Sequence, residues 1–258
     1  EHPSVKACLK FLKIEKGIEL VHTGDVPAMS GVGSSSAFTV GLLHSLYALS
    51  GQFMTKRKLA YEAIDIEQNV IGEHVGSQDQ VAAAFGGFNI IEFFKDDRII
   101  VQPLTLRSSR IKELEDSLVL FFTGISRTAS EIAETQISNT PNKIKELDKM
   151  KQMVDQAVEI LCEESTPLDE FGKLLDESWK IKRSITQKIS TDLIDSVYDR
   201  GINAGALGGK LLGAGGGGFI MFFTPPNKKQ KLINELSDLL HVPFHFESMG
   251  SHIVHYSQ

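Results

Sequence analysis

The segment that decides the fold is rich in glycine and reads Leu207-Gly208-Gly209-Lys210-Leu211-Leu212-Gly213-Ala214-Gly215-Gly216-Gly217-Gly218. Seven of the eleven residues from 208 to 218 are glycine, and each glycine costs roughly 0.5–1 kcal/mol of backbone entropy relative to alanine. Close packing of the backbone against a bound group or another backbone compensates for such a cost. An apolar strand is predicted directly after the segment, so the segment is not a flexible linker. We therefore predict a ligand-binding loop, with a purely structural backbone crossing as the alternative.

A second glycine loop lies near the start of the chain, at Pro27-Ala28-Met29-Ser30-Gly31-Val32-Gly33-Ser34-Ser35-Ser36-Ala37. The loop joins a predicted strand to a predicted helix, whose apolar residues recur at helical spacing from Ser34 onward. Its two glycines allow the backbone to approach a ligand closely, and the helix N-terminus offers unpaired N–H groups to an anion. With three serine hydroxyls added, the loop predicts a site for a di- or triphosphate. An ordinary serine N-cap beside a tight turn is the alternative.

Neither loop fits one of the two common nucleotide-binding patterns in both its residues and its predicted structural context. The P-loop pattern fails because Leu211 follows Gly209-Lys210. The dinucleotide pattern occurs at Gly213, Gly215 and Gly218, but it precedes a predicted strand instead of opening a helix. A nicotinamide-dependent enzyme is therefore disfavoured.

The composition bounds the remaining function classes. The chain has 258 residues and a formal net charge of −6, which argues against holding a nucleic-acid backbone by bulk electrostatics. No apolar run reaches the roughly 18 residues that a membrane span needs. Cys8 and Cys162 lack metal-like spacing and are predicted to be buried thiols. We expect a cytoplasmic protein with no nucleic-acid or membrane partner.

The hydrophobic pattern predicts alternating helices and strands on both sides of a polar joint at 111–116, the best candidate for a domain boundary. Predicted helices lie near 5–14, from 34 to about 50, at 55–71, at 78–85, four times within 127–204, and at 227–240. Predicted strands lie at 17–22, 88–94, 99–104, 117–123, 219–224, 244–246 and 252–256.

Together the two loops resemble the second and third motifs of the GHMP kinases. The second motif, approximately P-x-x-x-G-L-G-S-S-[AS], is matched by Pro27–Ser36 with Val32 in place of leucine. The third, of the type K-x-x-G-A-G-G-G-G, is matched by 210–218. Between them, Glu67 followed by Gly76-Ser77-Gln78-Asp79-Gln80 resembles the pattern of a metal-binding glutamate before a catalytic G-x-x-D-Q. Segments such as 179–182 and 249–251 are most similar to the bacterial D-glycero-D-manno-heptose 7-phosphate kinase branch.

The resemblance implies an α+β fold with two domains. The N-terminal, ATP-binding domain would be of the ribosomal S5 domain 2-like type and cover 1–112, and a ferredoxin-like C-terminal domain with added helices would cover 113–258. The family's first motif, on an N-terminal hairpin, is not present in this sequence. The N-terminal domain is therefore expected to be incomplete here.

The resemblance also implies an ATP-dependent kinase that phosphorylates the anomeric hydroxyl of a heptose 7-phosphate. Asp79 would be the catalytic base, and Mg²⁺ would be held by Ser35 and Glu67, with Glu73 as a nearby acid that competes for this assignment. Arg127 would bind the phosphate of the substrate. Two loops would surround the reacting groups: the nucleotide phosphates would lie on Gly31, Val32, Gly33, Ser34, Ser35 and Ser36, and the substrate-side loop would be Gly213, Ala214, Gly215, Gly216 and Gly217.

Three questions stay open at this point. The acceptor could instead be fucose, galactose or another hexose, or the chain could be a non-catalytic member that binds sugar or nucleotide. Arg127 could be a solvent-facing helix residue, and Lys182 and Arg183 are weaker candidates for the same phosphate. A homo-oligomer is compatible with everything above.

Overall fold

The structure is a computed structural model that describes residues 2–26, 30–125 and 129–257. The chain divides into two compact units. Unit 1 comprises Glu1–Ala28, Gly33–Leu104 and Phe246–Gln258, and unit 2 comprises Met29–Val32 and Thr105–His245. Each unit is described by itself below.

Unit 1 is mainly helical. Its elements are α1 (Pro3–Phe11), α2 (Ser34–Leu49), α3 (Lys56–Asp65), a π-helical turn (Ile66–Ile71), α4 (Gln78–Phe85), and the antiparallel hairpin of β1 (Asn89–Phe93) and β2 (Ile99–Pro103). Helix α3 begins after Thr55, whose side chain accepts a hydrogen bond from the amide of Lys58 as an N-cap. The core lies where α2, α3 and α4 pack together, around Leu43, Leu59, Ile66 and Val81.

Unit 2 is an antiparallel sheet covered by helices. Its elements are α5 (Ser108–Ser117), β3 (Leu118–Phe122), α6 (Ala129–Asn139), a 3₁₀ turn (Thr140–Asn142), α7 (Ile144–Cys162), α8 (Asp169–Ile185), α9 (Asp192–Ala204), β4 (Gly208–Leu211), β5 (Phe219–Phe223), a second 3₁₀ turn (Pro226–Lys228), α10 (Lys229–Glu235) and β6 (Leu240–His241). The strand order is β4-β5-β3-β6, with every pairing antiparallel. That order is the one a ferredoxin-like βαββαβ chain produces, and the added helices lie between β3 and β4.

Glycine has a packing role in the core of unit 2. The core is built around Trp179, Phe121, Phe222 and Ile220, which are all fully buried. A Cβ on Gly209 would lie 2.7 Å from both the Met221 carbonyl oxygen and the Phe222 ring. Gly208 similarly leaves no room for a side chain next to the backbone of α8. The first two glycines of the decisive segment are therefore explained by strand and helix packing, as the structural alternative proposed.

Most predicted elements are confirmed, including the four helices that follow the third strand. The residues 111–116, predicted as a polar joint, lie in α5, which buries Arg110 and Leu114 on its inner side. The predicted strands at 17–22, 244–246 and 252–256 do not form among the described residues. An extended segment becomes a strand only where a neighbouring strand offers partners for its backbone groups.

Three further findings qualify the predictions. The predicted helix 227–240 ends at Glu235, and Leu240–His241 pairs with β3 instead. Cys8 is buried as predicted, but Cys162 is exposed at the end of α7. Among the described residues, no helix combines the length and apolar character that crossing a membrane requires.

Candidate active site

Asp79 lies against the backbone of the second motif in unit 1. It occupies the first turn of α4, and Gly33 is the N-cap residue directly before α2, with a positive φ of 74°. A Cβ on Gly33 would lie 3.1 Å from Asp79 Cγ and 3.3 Å from Asp79 Oδ1. Gly33 is therefore required twice, for its left-handed backbone and for the space that the carboxyl group fills.

A buried glutamate, Glu67, contacts both α2 and α4. Glu67 is in the π-helical turn, where an altered backbone register often marks a functional position. Its Oε2 accepts a hydrogen bond of 2.7 Å from the Ser36 hydroxyl and another from the Gln80 side-chain amide. The sequence thus brings the serines of the second motif, the glutamate and the D-Q pair together within unit 1.

The N-terminus of α2 carries backbone donors without a side-chain cap. Gly33 has no side chain to cap the helix, and the first intrahelical bond runs from the amide of Ala37 to the Gly33 carbonyl. The amides of the first turn are consequently left to another acceptor. Together with the helix dipole they form a site suited to an anion such as a phosphate.

The oxygen groups near Glu67 fit a hard divalent cation. Glu67 is fully buried, and its Oε1 has no hydrogen-bond partner among the described residues. A buried carboxylate oxygen without a partner is costly, and a bound cation would satisfy it. Mg²⁺ is commonly held by one or two protein oxygens together with water and phosphate oxygens. The described residues contain no cluster of three His, Cys, Asp or Glu side chains, so a metal held wholly by such residues is not supported there.

Burial also changes the acidity of the nearby groups. Desolvation raises the pKa of Asp79, the charge of Glu67 raises it further, and a hydrogen bond from the Gln78 side chain acts in the opposite direction. Burial and the charge of Glu67 likewise raise the pKa of the half-buried Glu73. Of the two glutamates, it is Glu67 that contacts Ser36 and Gln80. This contact favours Glu67 over Glu73 as the metal-binding acid.

In unit 2, the glycine-rich loop packs directly on the start of the second motif. A Cβ on Gly213 would lie 2.6 Å from the Gly31 carbonyl oxygen, and one on Gly31 would lie 3.1 Å from the Leu212 carbonyl oxygen. A Cβ on Gly218 would collide with the Ser30 carbonyl oxygen. All three glycines have positive φ, so both the conformation and the close approach need glycine.

Side chains from two helices hold the carbonyl groups of the glycine-rich loop. Lys182 Nζ of α8 donates to the Gly213 carbonyl at 2.6 Å, and Gln136 Nε2 of α6 donates to the Ala214 carbonyl at 2.6 Å. The amide of Gly216 donates to the Ile189 carbonyl. Four other amides find no acceptor among the described residues, which makes the loop a cradle of free donors: those of Gly213, Ala214, Gly215 and Gly217.

Two family models match the chain and together cover more than half of it. The model of the N-terminal domain of the GHMP kinases matches residues 4–87, and the model of their C-terminal domain matches residues 157–242. The chain belongs to the GHMP kinase family. Neither match reaches the predicted domain boundary at 112/113, which stays a prediction. The two compact units differ from it, with a division at 104/105 and residues 246–258 in unit 1.

Heptose phosphate kinases are among the most similar members of the family. The D-glycero-alpha-D-manno-heptose 7-phosphate kinase of Campylobacter jejuni is 37% identical over 220 residues, which cover 84% of this chain and 64% of that protein. The crystal structure of a D-glycero-D-manno-heptose 1-phosphate kinase from Bacteroides thetaiotaomicron matches with a TM-score of 0.79 and 29% identity. That match covers 100% of this chain and 76% of the other. The two-domain GHMP kinase fold predicted from the motifs is confirmed.

A more distant relative carries a different activity. The bifunctional fucokinase/GDP-fucose pyrophosphorylase of Arabidopsis thaliana is 26% identical over 85% of this chain, which spans only 21% of that protein. The chain spans less than two thirds of the length of these two curated relatives.

The structure distributes the predicted GHMP kinase site residues between the two units. Gly33, Ser34, Ser35, Ser36, Glu67 and Asp79 lie in unit 1, and Gly31, Val32 and the loop Gly213–Gly217 lie in unit 2. Arg127 lies outside the described residues. Ser36, rather than the predicted metal ligand Ser35, bonds to Glu67, while Ser35 is exposed and its hydroxyl makes no hydrogen bond among the described residues.

Sequence reasoning missed or misjudged three polar groups. Gln136 was not identified, because a single glutamine on a helix carries no motif. Arg183 bonds to Asp195 at 2.7 Å and its guanidinium lies over the Trp179 ring, so it is not a free cation. Lys182, treated as the equal of Arg183, is the one that contacts the glycine-rich loop.

Proposed function

We propose that this chain belongs to an ATP-dependent kinase that phosphorylates the anomeric hydroxyl of a heptose 7-phosphate. The observation that carries the proposal is the position of Asp79, whose carboxyl group lies on Gly33 at the uncapped N-terminus of α2. A carboxylate next to a phosphate-binding helix terminus is the arrangement that a phosphoryl transfer to a hydroxyl needs. The 37% identity to a heptose 7-phosphate kinase supports the choice of acceptor.

Asp79 acts on the acceptor. Its carboxylate orients the anomeric hydroxyl and accepts its proton as the bond to phosphorus forms. Burial raises the pKa of Asp79 towards that of a more effective base. An anomeric hydroxyl is more acidic than other sugar hydroxyls, so a carboxylate can accept its proton.

The two loops bind the groups that carry negative charge. The amides at the start of α2 and the Gly31–Val32 turn would bind the nucleotide phosphates, and we assign the amides of the loop 213–217 to the acceptor. Glu67 and Ser35 would hold Mg²⁺, which supplies charge neutralisation on the nucleotide phosphates. Arg127 remains our proposed contact for the phosphate of the acceptor.

A second candidate function is a 1-kinase that acts on fucose or another unphosphorylated hexose. The similarity to a plant fucokinase over 85% of the chain favours it. The two candidates share the base and the metal ligands and differ only in whether the acceptor already bears a phosphate.

The test measures ADP release by the full-length protein over a panel of sugars with and without a terminal phosphate. We expect turnover with the heptose 7-phosphate, and a fall in kcat of about 10²- to 10⁴-fold in Asp79→Asn. The control is Asp96→Asn, which alters an exposed carboxylate in the β1–β2 hairpin. Turnover that depends on the sugar but persists at the parental rate in Asp79→Asn would exclude Asp79 as the base.

The metal assignment is tested with the two glutamates. Because Glu67 has the unpaired buried oxygen, Glu67→Gln is expected to raise the Mg²⁺ concentration needed for half-maximal activity by at least about tenfold. Glu73→Gln serves as the matched variant and is expected to change it little. The reverse order would assign the metal to Glu73.

A further inference from the structure

Two lysines of unit 2 lie on elements that pack against each other, and neither has an acidic partner among the described residues. Lys182 is on α8 and Lys210 is on β4, which packs against α8. Both side chains are half-buried, and the charge of Lys210 acts on Lys182. Lys182 Nζ donates to the Gly213 carbonyl at 2.6 Å, whereas Lys210 Nζ makes no hydrogen bond among the described residues.

The nearby carboxylates are committed to other donors. Asp176 of α8 accepts from Lys180 Nζ and from the Tyr198 hydroxyl. On the same helix, Glu177 pairs with Lys149 of α7.

On the next helix, α9, Asp192 and Asp199 are exposed to solvent and Asp195 is already paired. Asp195 of α9 accepts from Arg183 and from the Ser190 hydroxyl. In the part of the chain that the structure describes, therefore, Lys182 and Lys210 form no salt bridge.

Burying these two lysine side chains costs free energy unless an anion binds between them. Burial lowers the pKa of Lys182 to about 7, with the charge of Lys210 as the second cause, and burial also lowers the pKa of Lys210. Two like charges held together at reduced hydration repel each other and lose solvation. An anion placed between them removes both penalties, and the free amides of the neighbouring loop would add further donors to it.

We propose that Lys182 and Lys210 form a subsite for the phosphate that the acceptor sugar carries before the reaction. This inference rests on the proposed function and names the residues that would select a phosphorylated sugar. A phosphate monoester is the suitable occupant because it is close to a dianion at neutral pH and brings no cation of its own. The phosphates of ATP, by contrast, arrive already partly neutralised by Mg²⁺.

The first test compares two acceptors that differ only in the phosphate. For Lys182→Met and Lys210→Met in the full-length protein, the ratio of kcat/KM for heptose 7-phosphate to kcat/KM for the unphosphorylated heptose is expected to fall about 10- to 100-fold. The KM for ATP is expected to stay within about threefold of the parent. Lys180→Met is the matched control, because Lys180 lies on the same helix but is exposed and bonds to Asp176.

The two variants also separate phosphate binding from support of the loop. Lys182→Met removes the hydrogen bond to Gly213, but Lys210→Met removes no hydrogen bond among the described residues. An equal loss of kcat with both acceptors, or a weaker affinity for ATP alone, would overturn the proposal. A preserved acceptor ratio in Lys210→Met would do the same.

The second test does not depend on turnover. Heptose 7-phosphate is titrated into the protein without nucleotide at pH 8, by calorimetry in two buffers of different ionisation enthalpy. Because burial lowers the pKa of Lys182 to about 7, binding of a dianion at this pH should draw protons from the buffer. Lys182→Met should bind weakly and take up fewer protons, while ATP without metal, as the third probe, should show no such difference between parent and variant.

The outcomes distinguish the two proposals. A parent protein that turns over no sugar refutes the proposed kinase function, and the calorimetry then decides the subsite by itself. Phosphate-dependent binding with proton uptake, both reduced in the lysine variants, supports the subsite. Binding that the lysine variants retain refutes it.

Discussion

Replacing Gly213 with alanine should destabilise unit 2 by an amount that the contact with Gly31 determines. Gly213 has a φ of 66°, a left-handed conformation that costs alanine about 1–2 kcal/mol. The new Cβ would lie 2.6 Å from the Gly31 carbonyl oxygen, which must recede by about 0.4 Å to reach the 3.0 Å below which such contacts are essentially never seen. Forcing an extra carbon into a packed region typically costs about 1–3 kcal/mol. Together these effects predict a loss of about 2–5 kcal/mol in the free energy of unfolding.

Gly124 provides the matched control in the same unit. Its φ is 76°, close to that of Gly213, but a Cβ there would meet no atom of the described residues within 4 Å. Gly124→Ala should therefore cost only the conformational part, about 1–2 kcal/mol. The difference between the two variants isolates the contact between the two glycine loops.

The chain contains a single tryptophan, which makes the measurement specific. Trp179 is fully buried in the core of unit 2, so its fluorescence follows the unfolding of that unit in guanidinium chloride. The free energies of unfolding come from linear extrapolation of the two variants and the parent. If Gly213→Ala and Gly124→Ala agree within about 0.5 kcal/mol, the close approach of Gly213 to Gly31 is refuted.

Two further predictions concern groups outside the proposed site. Arg110→Met should lower the free energy of unfolding of unit 2 by about 2–4 kcal/mol in the same fluorescence assay, because the buried guanidinium donates at 2.7 Å to the carbonyls of Ile160 and Thr166. The control is Arg107→Met, on a side chain that is 76% exposed, which should cost no more than about 0.5 kcal/mol. Equal losses would contradict this role of Arg110. Iodoacetamide under native conditions should label the exposed Cys162 long before Cys8, because burial and the charge of Glu67 raise the pKa of the Cys8 thiol to about 12. Peptide mapping by mass spectrometry gives the order of labelling. Comparable labelling of both cysteines would refute the burial of Cys8.

Local pattern was sufficient to predict most helices and strands, and it failed where tertiary contacts decide. The apolar residues Ile144 and Val154 recur at helical spacing in α7, which is typical of an inner face, yet they are 57% and 52% exposed. The buried residues of this helix are Met153 and Leu161. The residues 111–116 looked like a joint because most of them are charged. They lie in helix α5, and the buried guanidinium of Arg110 in that helix donates to the Ile160 carbonyl near the end of α7.

The candidate site was predictable to the extent that it rests on close backbone packing. Glycines at 31, 33, 213 and 218 are forced by positive φ and by contacts that exclude a Cβ, and such requirements leave a visible mark in the sequence. The choice between Ser35 and Ser36 as the partner of Glu67 was not predictable in this way. Consecutive residues on a helix point about 100° apart, and only the position of the π-helical turn decides which hydroxyl meets the carboxylate.

The role of Lys182 was predictable only in part. Helix geometry predicts the face of α8 on which it lies, but not that it, rather than Arg183, contacts the loop. Trp179 is the obvious core residue of α8, and residues three and four positions later share its face. Lys182 and Arg183 therefore had to lie on the inner side of α8, and Lys180 could not. Which of the two cations is left for a ligand depends on α9, since Asp195 bonds to Arg183 and leaves Lys182 to the glycine-rich loop. The ion pair between Arg183 and Asp195 of α9 thus leaves Lys182 as the cation that contacts the glycine-rich loop, some twenty residues further along the chain. Asp195→Asn should release Arg183, which should then compete with Lys182 for the same phosphate.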